Sequence, residues 1–270
     1  MNFIQLTNLL KKINTYRPLT KDEVQAIEKE KKYDHIWSSN AIEGSSLTKY
    51  ETAELLETGL TIHGKPFADH LAALDLSRAY DYVQELATGK LPLDEIAIRD
   101  INRLVTYSDD PIKRSAAGQY RQIKVWPNGV PNVHYADPTE IPEKMQALID
   151  WYHEIEGKQH PVKVAALMHL KFVSVHPFRD GNGRTARLLM NFELVKHGYL
   201  IINIQPDKGS RNGYMKALQL AQTTGNDKEF IELVSRYEEN ELKDRLDLLK
   251  RIESERKNAD SLTRLNNLDK

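Results

Sequence analysis

The chain has 270 residues, enough for one large domain or two small ones with a buried core. Its formal net charge is −1 at pH 7, so no overall electrostatic field attracts nucleic acid or an anionic membrane. The absence of cysteine excludes disulfides and thiol chemistry. The first 16 residues do not have the pattern of a secretory leader, and no apolar stretch is long enough to cross a bilayer. We therefore expect a cytoplasmic protein with neither nucleic-acid nor membrane partners.

Most of the chain has the apolar periodicity of α-helices. Thr20 with Glu23, and Thr48 with Glu51, have the spacing of a capping box, which predicts that a helix starts after each threonine. Further helices are predicted at residues 67–88, 93–107, 140–156, 162–175, 184–197, 214–223 and 228–257.

The sequence SNAIEG at residues 39–44 predicts the end of a helix with two polar side chains on one face. Ser39 and Glu43 are four residues apart, so they project from the same side of a helix. Gly44 follows as a typical helix stop. A carboxylate placed in this way can pair with an arginine that would otherwise bind a phosphate.

Strand signals are confined to residues 118–135. Asn128 and Gly129 stand between β-favouring residues, which predicts a hairpin. Pro131 weakens the second strand and favours an edge position, where an extended segment of a partner can pair. The candidate partner-binding residues of this hairpin are Val125, Trp126, Val130 and Val133.

The most informative segment, HPFRDGNGRTAR at residues 176–187, is a predicted loop that leads into a helix. Gly181 and Gly183 allow a ligand to approach the backbone, and the free amides at the helix start favour an anion. Arg184 and Arg187 lie in the first turn, where the helix dipole disfavours cations and the two like charges share a face. A bound polyphosphate would reverse both penalties.

Two further side chains of this segment complete a reactive site. Asp180 offers a hard oxygen ligand of the kind that Mg²⁺ takes together with phosphate oxygens. His176 can accept a proton near neutral pH. The segment therefore predicts a metal-assisted reaction on a nucleotide phosphate.

The segment HPFRDGNGRTAR resembles the signature of Fic-domain proteins, HPFx[D/E]GNGRxxR, at every fixed position. Most members of that family transfer AMP from ATP to a hydroxyl side chain of a protein. The resemblance implies an all-α Fic fold with one β-hairpin flap, an N-terminal inhibitory helix region and a C-terminal helix. The corresponding division is 1–66 for the inhibitory region, 67–237 for the Fic core and 238–270 for a charged helical tail.

The resemblance also implies roles for individual residues. His176 would be the general base and Asp180 would hold Mg²⁺. Asn212 and Tyr214 would bind the nucleotide, with Tyr214 as our candidate for contact with the adenine. The phosphate-binding residues would be Gly181, Asn182 and Gly183 as a cradle, with Arg184 and Arg187 on the β- and γ-phosphates.

Two other segments resemble parts of the same family. Residues 39–44 are similar to the inhibitory pattern [S/T]xxxE[G/N], which implies that Glu43 pairs with Arg187 and blocks the γ-phosphate position. The sequence GQYR at 118–121 is similar to the start of the flap, which positions the target segment through main-chain bonds.

We therefore expect an autoinhibited protein adenylyltransferase that uses ATP and Mg²⁺ to modify a target protein bound at the flap, or itself. The family further suggests a homodimer through the region 55–67. Two alternatives stay open. In the first, the same site removes AMP from a modified protein, with Glu43 aligning a water molecule. In the second, the chain is a binding module in which ATP displaces the inhibitory helix and changes a partner contact.

Overall fold

The computed structural model describes residues 3–16, 18–89, 92–107, 111–127 and 133–268. Within these ranges the chain is helical, with a short 3₁₀ turn at Pro138–Glu140 and an isolated β-bridge between Tyr120 and Phe178. The helices are α1 (Phe3–Ile13), α2 (Lys21–Ile42), α3 (Lys49–Thr58), α4 (Phe67–Thr88), α5 (Glu95–Thr106), α6 (Pro111–Ala116), α7 (Ile141–Ile155), α8 (Pro161–Val175), α9 (Asn182–Lys196), α10 (Lys208–Thr224) and α11 (Lys228–Leu268).

Both predicted capping boxes are confirmed. The Thr20 hydroxyl accepts the Glu23 amide at 3.2 Å, and the Glu23 carboxylate accepts the Thr20 amide at 2.6 Å. The same pair of bonds joins Thr48 and Glu51, at 3.2 and 2.8 Å. These local bonds satisfy backbone amides that have no partner within a helix, so they fix where α2 and α3 begin.

Two clusters of buried apolar side chains form the core, and α8 and α9 contribute to both. The first cluster includes Phe172 and Leu189 and packs against α4, α5 and α7. The second includes Met190 and Leu194 and packs against α1, α10 and α11. The loop that joins α8 to α9 is therefore anchored at both ends in a close-packed interior.

The charged C-terminal segment is part of this core. Leu242, Leu246 and Leu249 are buried, and α1 packs along α11. The predicted domain boundary at 237/238 lies inside α11, and the helix extends beyond residue 257 to Leu268. The many charged residues of this segment did not indicate that its leucines are buried, because a helix needs only one apolar stripe to pack against a neighbour.

The structure differs from the predicted strands of the hairpin. Residues 121–127 and 133–137 form no strand, while 128–132, which include Val130, lie outside the described residues. A single guanidinium joins the two flanks instead: Arg121 donates to the carbonyl of Ile123 at 2.8 Å and to that of Ala136 at 2.5 Å. Since one side chain satisfies carbonyls on both flanks, these groups do not require a β-ladder.

None of the helices in the described part of the chain combines the length and the hydrophobicity that crossing a bilayer requires.

Candidate active site

The reactive loop begins where α8 ends, at His176. Its φ angle of +53° is the only positive value among the described non-glycine residues. The backbone amide of His176 still donates to the carbonyl of Phe172, at 3.0 Å, so the left-handed residue closes α8 and turns the chain sharply. Left-handed backbone is strained for a side chain of this kind, and such strain persists only where the surroundings enforce it.

Arg121 makes some of the contacts that hold His176 in this conformation. Its side chain is buried and donates from Nε to the carbonyl of His176 at 2.8 Å, and its amide donates to the carbonyl of Pro177 at 2.9 Å. The residue therefore ties the segment after α6 to the start of the reactive loop. The GQYR pattern by itself predicts no role for Arg121, because a buried arginine cannot be distinguished from an exposed one by residue type.

The middle of the loop is locked by two asparagines. The side chain of Asn182 accepts the Phe178 amide at 3.0 Å and donates to the Phe178 carbonyl at 2.8 Å. Asn102, on α5, donates to the carbonyl of Asp180 at 2.9 Å and was not predicted as a site residue. The side chain of Asn182 is thus engaged within the protein, which leaves its backbone as the part that can contribute to an anion cradle.

Gly181 and Gly183 each lie so close to another part of the protein that a larger side chain would not fit. Gly181 has a φ of +75°, and a Cβ there would lie 2.7 Å from Cγ2 of Thr106. Gly183 is helical, and a Cβ there would collide with Oε1 of Glu43. The predicted cradle therefore faces α5 at one glycine and the end of α2 at the other.

The Glu43 carboxylate reaches the cradle because it is held by Arg187. The guanidinium of Arg187 donates to Glu43 Oε1 at 2.7 Å, to Ser39 Oγ at 2.8 Å and to the Ser39 carbonyl at 2.9 Å. Burial raises the pKa of Glu43, but Arg187 and Arg184 together outweigh it and hold that pKa below its ordinary value. The structure thus brings together the motif residues Ser39 and Glu43 with Arg187, 144 residues away from Glu43.

The end of α2 that carries Glu43 is attached to two further helices. Arg211 of α10 donates to the carbonyl of Ile42 at 3.2 Å, and Asn40 donates to the carbonyl of Ala72 in α4 at 3.2 Å. Gly44 follows with a φ of +104°, a backbone conformation that glycine adopts without strain. These contacts fix the position of the carboxylate.

The other two charged residues of the loop lie beside each other. The guanidinium of Arg184 is buried, donates to the carbonyl of Val105 at 3.3 Å and lies 3.7 Å from the Asp180 carboxylate. The side chain of Asp180 is 47% exposed. An accessible carboxylate next to an anion cradle has the chemistry that a phosphate-bound Mg²⁺ requires.

The imidazole of His176 is half-buried, and an aromatic ring covers one of its faces. Its plane is stacked on the ring of Tyr135, with 3.9 Å between centroids and an angle of 12°. Burial and the neighbouring Arg121 guanidinium lower the pKa of His176 to about 4. The imidazole is therefore neutral at pH 7, the form that accepts a proton. Its Nδ1 is buried, which leaves Nε2 as the nitrogen available to a ligand.

A cavity of about 780 Å³ opens over His176 and the Glu43–Arg187 pair, whereas Asp180 lines a separate cavity of about 130 Å³. The wall of the larger cavity includes Glu43, Gly183, Arg187, His176 and Tyr135. A space of this size accommodates a nucleotide, and such cavities in proteins commonly bind small molecules.

Comparison with known proteins identifies the family. Residues 92–194 match the model of the Fic/DOC family. Over 210 residues the chain is 35% identical to the protein adenylyltransferase Fic of Drosophila willistoni, an alignment that covers 77% of this chain and 40% of that protein. The chain therefore contains a Fic/DOC family domain at residues 92–194. It spans less than half the length of the curated Fic relatives that it matches.

Solved Fic structures have the same fold. Fic-1 from C. elegans (aa134–508) superimposes with a TM-score of 0.82 at 25% identity, covering 92% of this chain and 72% of that one. A Fic-domain-containing signaling protein from Bacteroides thetaiotaomicron gives a TM-score of 0.81 at 27% identity, covering 93% and 98% of the two chains. The helical Fic fold thus extends over nearly all of this chain.

The predicted adenine contact lies within the Fic cavity but is deeply buried. Tyr214 is only 2% exposed, and its hydroxyl lies 2.9 Å from Nε2 of the buried His169. Asn212 is exposed and also lines the cavity. Contact of Tyr214 with the adenine and binding of the nucleotide by Asn212 stay predictions.

The predicted flap residues of the Fic domain differ in exposure. Trp126 is 68% exposed at the cavity, and Val125 is half-buried. Val133 is 4% exposed, so the residue belongs to the interior and is not accessible to a target in this conformation. Val130 lies outside the described residues.

Proposed function

We propose that this Fic domain transfers AMP from ATP to a hydroxyl side chain of a protein, and that Glu43 holds it inactive. The observation that supports this best is the Glu43 carboxylate, which lies against Gly183 while bonded to Arg187. A carboxylate in this position uses the guanidinium and the cradle that a terminal phosphate would need. The protein adenylyltransferase activity named for the relatives is consistent with it.

In the proposed reaction the target hydroxyl oxygen attacks the α-phosphorus of ATP. The new O–P bond forms as the bond from the α-phosphorus to the oxygen bridging to the β-phosphate breaks, and pyrophosphate leaves. His176 accepts the hydroxyl proton, because its imidazole is neutral at pH 7 and borders the cavity. The backbone of the cradle, Arg184 and Arg187 orient the phosphates and stabilise their charge.

Mg²⁺ fits this site through Asp180. The carboxylate is about half exposed and lies beside the cradle, and Mg²⁺ is typically bound through one or two carboxylates together with substrate phosphates. When bound, the ion would neutralise phosphate charge. Asp180 itself is oriented by its bond from the Gly181 amide, at 2.6 Å.

The test uses wild type, Glu43→Gly, Glu43→Gln and Glu43→Gly/His176→Ala with Mg²⁺ and ATP labelled at either the α- or the γ-phosphate. We expect Glu43→Gly to raise α-label transfer to protein roughly 10- to 100-fold, since a charge-assisted hydrogen bond contributes about 1.5–3 kcal/mol. Glu43→Gln keeps the shape of the side chain without its charge, so its transfer should lie between wild type and Glu43→Gly. The double variant should transfer none.

Each other outcome contradicts a specific part of the proposal. Full transfer by Glu43→Gly/His176→Ala would exclude His176 as the base. Protein label from the γ-phosphate would indicate phosphate transfer. If no variant transfers label although ATP binds, removal of AMP is the favoured activity. It would be measured as Glu43-dependent loss of label from an AMP-modified protein. ATP-linked assembly that survives His176→Ala would favour a binding module.

We also propose where the target protein and a second copy of the chain bind. Trp126 at the cavity, together with the adjacent main chain, is the proposed docking surface for the target segment, which can belong to another protein or to a second copy of this chain. The homodimer through residues 55–67 also remains a proposal; Leu60 and Phe67 there are 67% and 66% exposed.

A further inference from the structure

Tyr135 stands out among the cavity residues because it contacts the proposed base face to face. The two ring centroids are 3.9 Å apart, and the planes are within 12° of parallel. Tyr135 follows the buried Val133 and precedes the buried Ala136, whose carbonyl is bonded to Arg121. Since Arg121 also bonds the carbonyl of His176, one guanidinium fixes the backbone on both sides of the stack.

We propose that Tyr135 is a positioning residue that supports His176 as the base and stabilises the imidazolium formed when His176 accepts the proton. This inference rests on the proposed function. A stacked ring covers one face of the imidazole and leaves its in-plane nitrogens unobstructed, so Nε2 stays available to the target hydroxyl. The face of an aromatic ring carries partial negative charge and attracts a cation that lies over it.

This attraction is stronger after proton transfer than before it. Neutral imidazole is held to Tyr135 by stacking alone, whereas the imidazolium gains the cation–π attraction. An interaction that strengthens along the reaction lowers the barrier, whereas one that is equal before and after does not. The ring of Tyr135, rather than its hydroxyl, is therefore the effective group.

The charged groups around the imidazole act on it in both directions. Arg121 opposes a positive charge on His176, whereas Glu43 and Asp180 favour it. Activation by the proposed mechanism exchanges the Glu43 carboxylate for the terminal phosphate of ATP, so the charges around His176 change. The Tyr135 ring remains in contact with His176 after that change.

The experiment compares Tyr135→Phe, which keeps the ring, with Tyr135→Leu, which keeps an apolar cover but removes the ring. Both are made in the Glu43→Gly protein, with His134→Leu, at an exposed neighbouring position, as the control. The readouts are kcat/KM for AMP transfer against pH, KM for ATP, and the titration of the His176 imidazole by NMR. Tyr135→Met is a second ring-free variant if Tyr135→Leu does not fold.

We expect Tyr135→Leu to lower kcat/KM about 2- to 30-fold, the range of a cation–π contact, with KM for ATP unchanged and the pKa of His176 lowered further. Tyr135→Phe and His134→Leu should match the parent. Equal losses in Tyr135→Phe and Tyr135→Leu would assign the effect to the hydroxyl and overturn the proposal, as would an unchanged rate and titration in Tyr135→Leu. If Glu43→Gly transfers no AMP, the proposed function fails, while the NMR titration still decides the Tyr135 contact.

Discussion

At the scale of single residues, the site depends on buried polar side chains that donate hydrogen bonds to main-chain carbonyls rather than to a ligand. Arg121 donates to the carbonyls of His176, Ile123 and Ala136. A guanidinium can serve several acceptors in fixed directions, whereas an ammonium on a flexible stem cannot reproduce that geometry. Arg121 therefore determines where both the base and the Tyr135 ring lie.

Replacing Arg121 with lysine should accordingly destabilise the site while preserving charge. We expect Arg121→Lys to lower the free energy of unfolding by about 2 kcal/mol, because at least one buried carbonyl loses its donor. In the Glu43→Gly protein it should also reduce AMP transfer. Urea unfolding and the transfer assay measure the two effects.

The control for this substitution is Arg103→Lys, whose side chain is 53% exposed and pairs only with Asp100 among the bonds described for it. An exposed pair of this type contributes little, so its unfolding free energy should change by less than about 0.5 kcal/mol. Equal effects of the two substitutions would contradict the role assigned to Arg121.

At the scale of elements, α11 shows how a charged segment becomes part of the core. Leu242 has no exposed surface and packs in the cluster shared by α1, α8 and α9. Its neighbour Lys243 is exposed and pairs with Glu239 on the same helix. One face of α11 is thus interior, while the other carries the charge that the sequence displays.

Removal of the Leu242 side chain should therefore destabilise the whole domain. We expect Leu242→Ala to lower the free energy of unfolding by about 2–5 kcal/mol, as for other fully buried leucines, with a single unfolding transition. Lys243→Ala should change it by about 0.5 kcal/mol or less. A separate early transition in Leu242→Ala would instead support a tail domain that begins near residue 238.

At the scale of the whole molecule, buried histidines determine the response to acid. Burial lowers the pKa of His35 to about 4 and that of His169 to about 3, and burial with Arg121 lowers that of His176 to about 4. In the unfolded chain these groups titrate near 6.5, so below that pH the unfolded state binds more protons than the folded state. Stability should therefore fall as the pH is lowered.

Two carboxyls act in the opposite direction. Glu238 has no exposed surface, and burial raises its pKa well above the ordinary value, so its contribution to stability is lost as the pH rises above about 4.5. Burial also lowers the pKa of His160 and raises that of Glu241, so four histidines oppose two carboxyls. We therefore expect a net slope in which stability falls as the pH is lowered from about 6 to 4.5.

Urea unfolding at a series of pH values measures this slope directly. His169→Gln should reduce it, and the exposed His134→Gln should leave it unchanged. A flat or inverted dependence of stability on pH in the wild-type protein would contradict the assignment to buried histidines.

The sequence by itself determined the local features of this protein. The capping boxes at Thr20 and Thr48 and the helix at 67–88 were predicted where the structure has them, because each depends on neighbours within one or two helical turns. The segment 176–187 indicated its chemistry for the same reason: a base, a carboxylate, glycines and arginines follow one another on a loop and the first turn of one helix.

The tertiary structure alone decided which distant groups meet. Packing of α2 against α4 and α9 places the Glu43 carboxylate at Gly183, and Arg121 joins flanks that the turn signal had assigned to strands. Stacking of Tyr135 on His176 and the burial of Leu242 likewise depend on which faces pack together. Local patterns specify the state of a segment, whereas contacts between segments depend on how all apolar surfaces are buried at once, so these features became visible only in the folded chain.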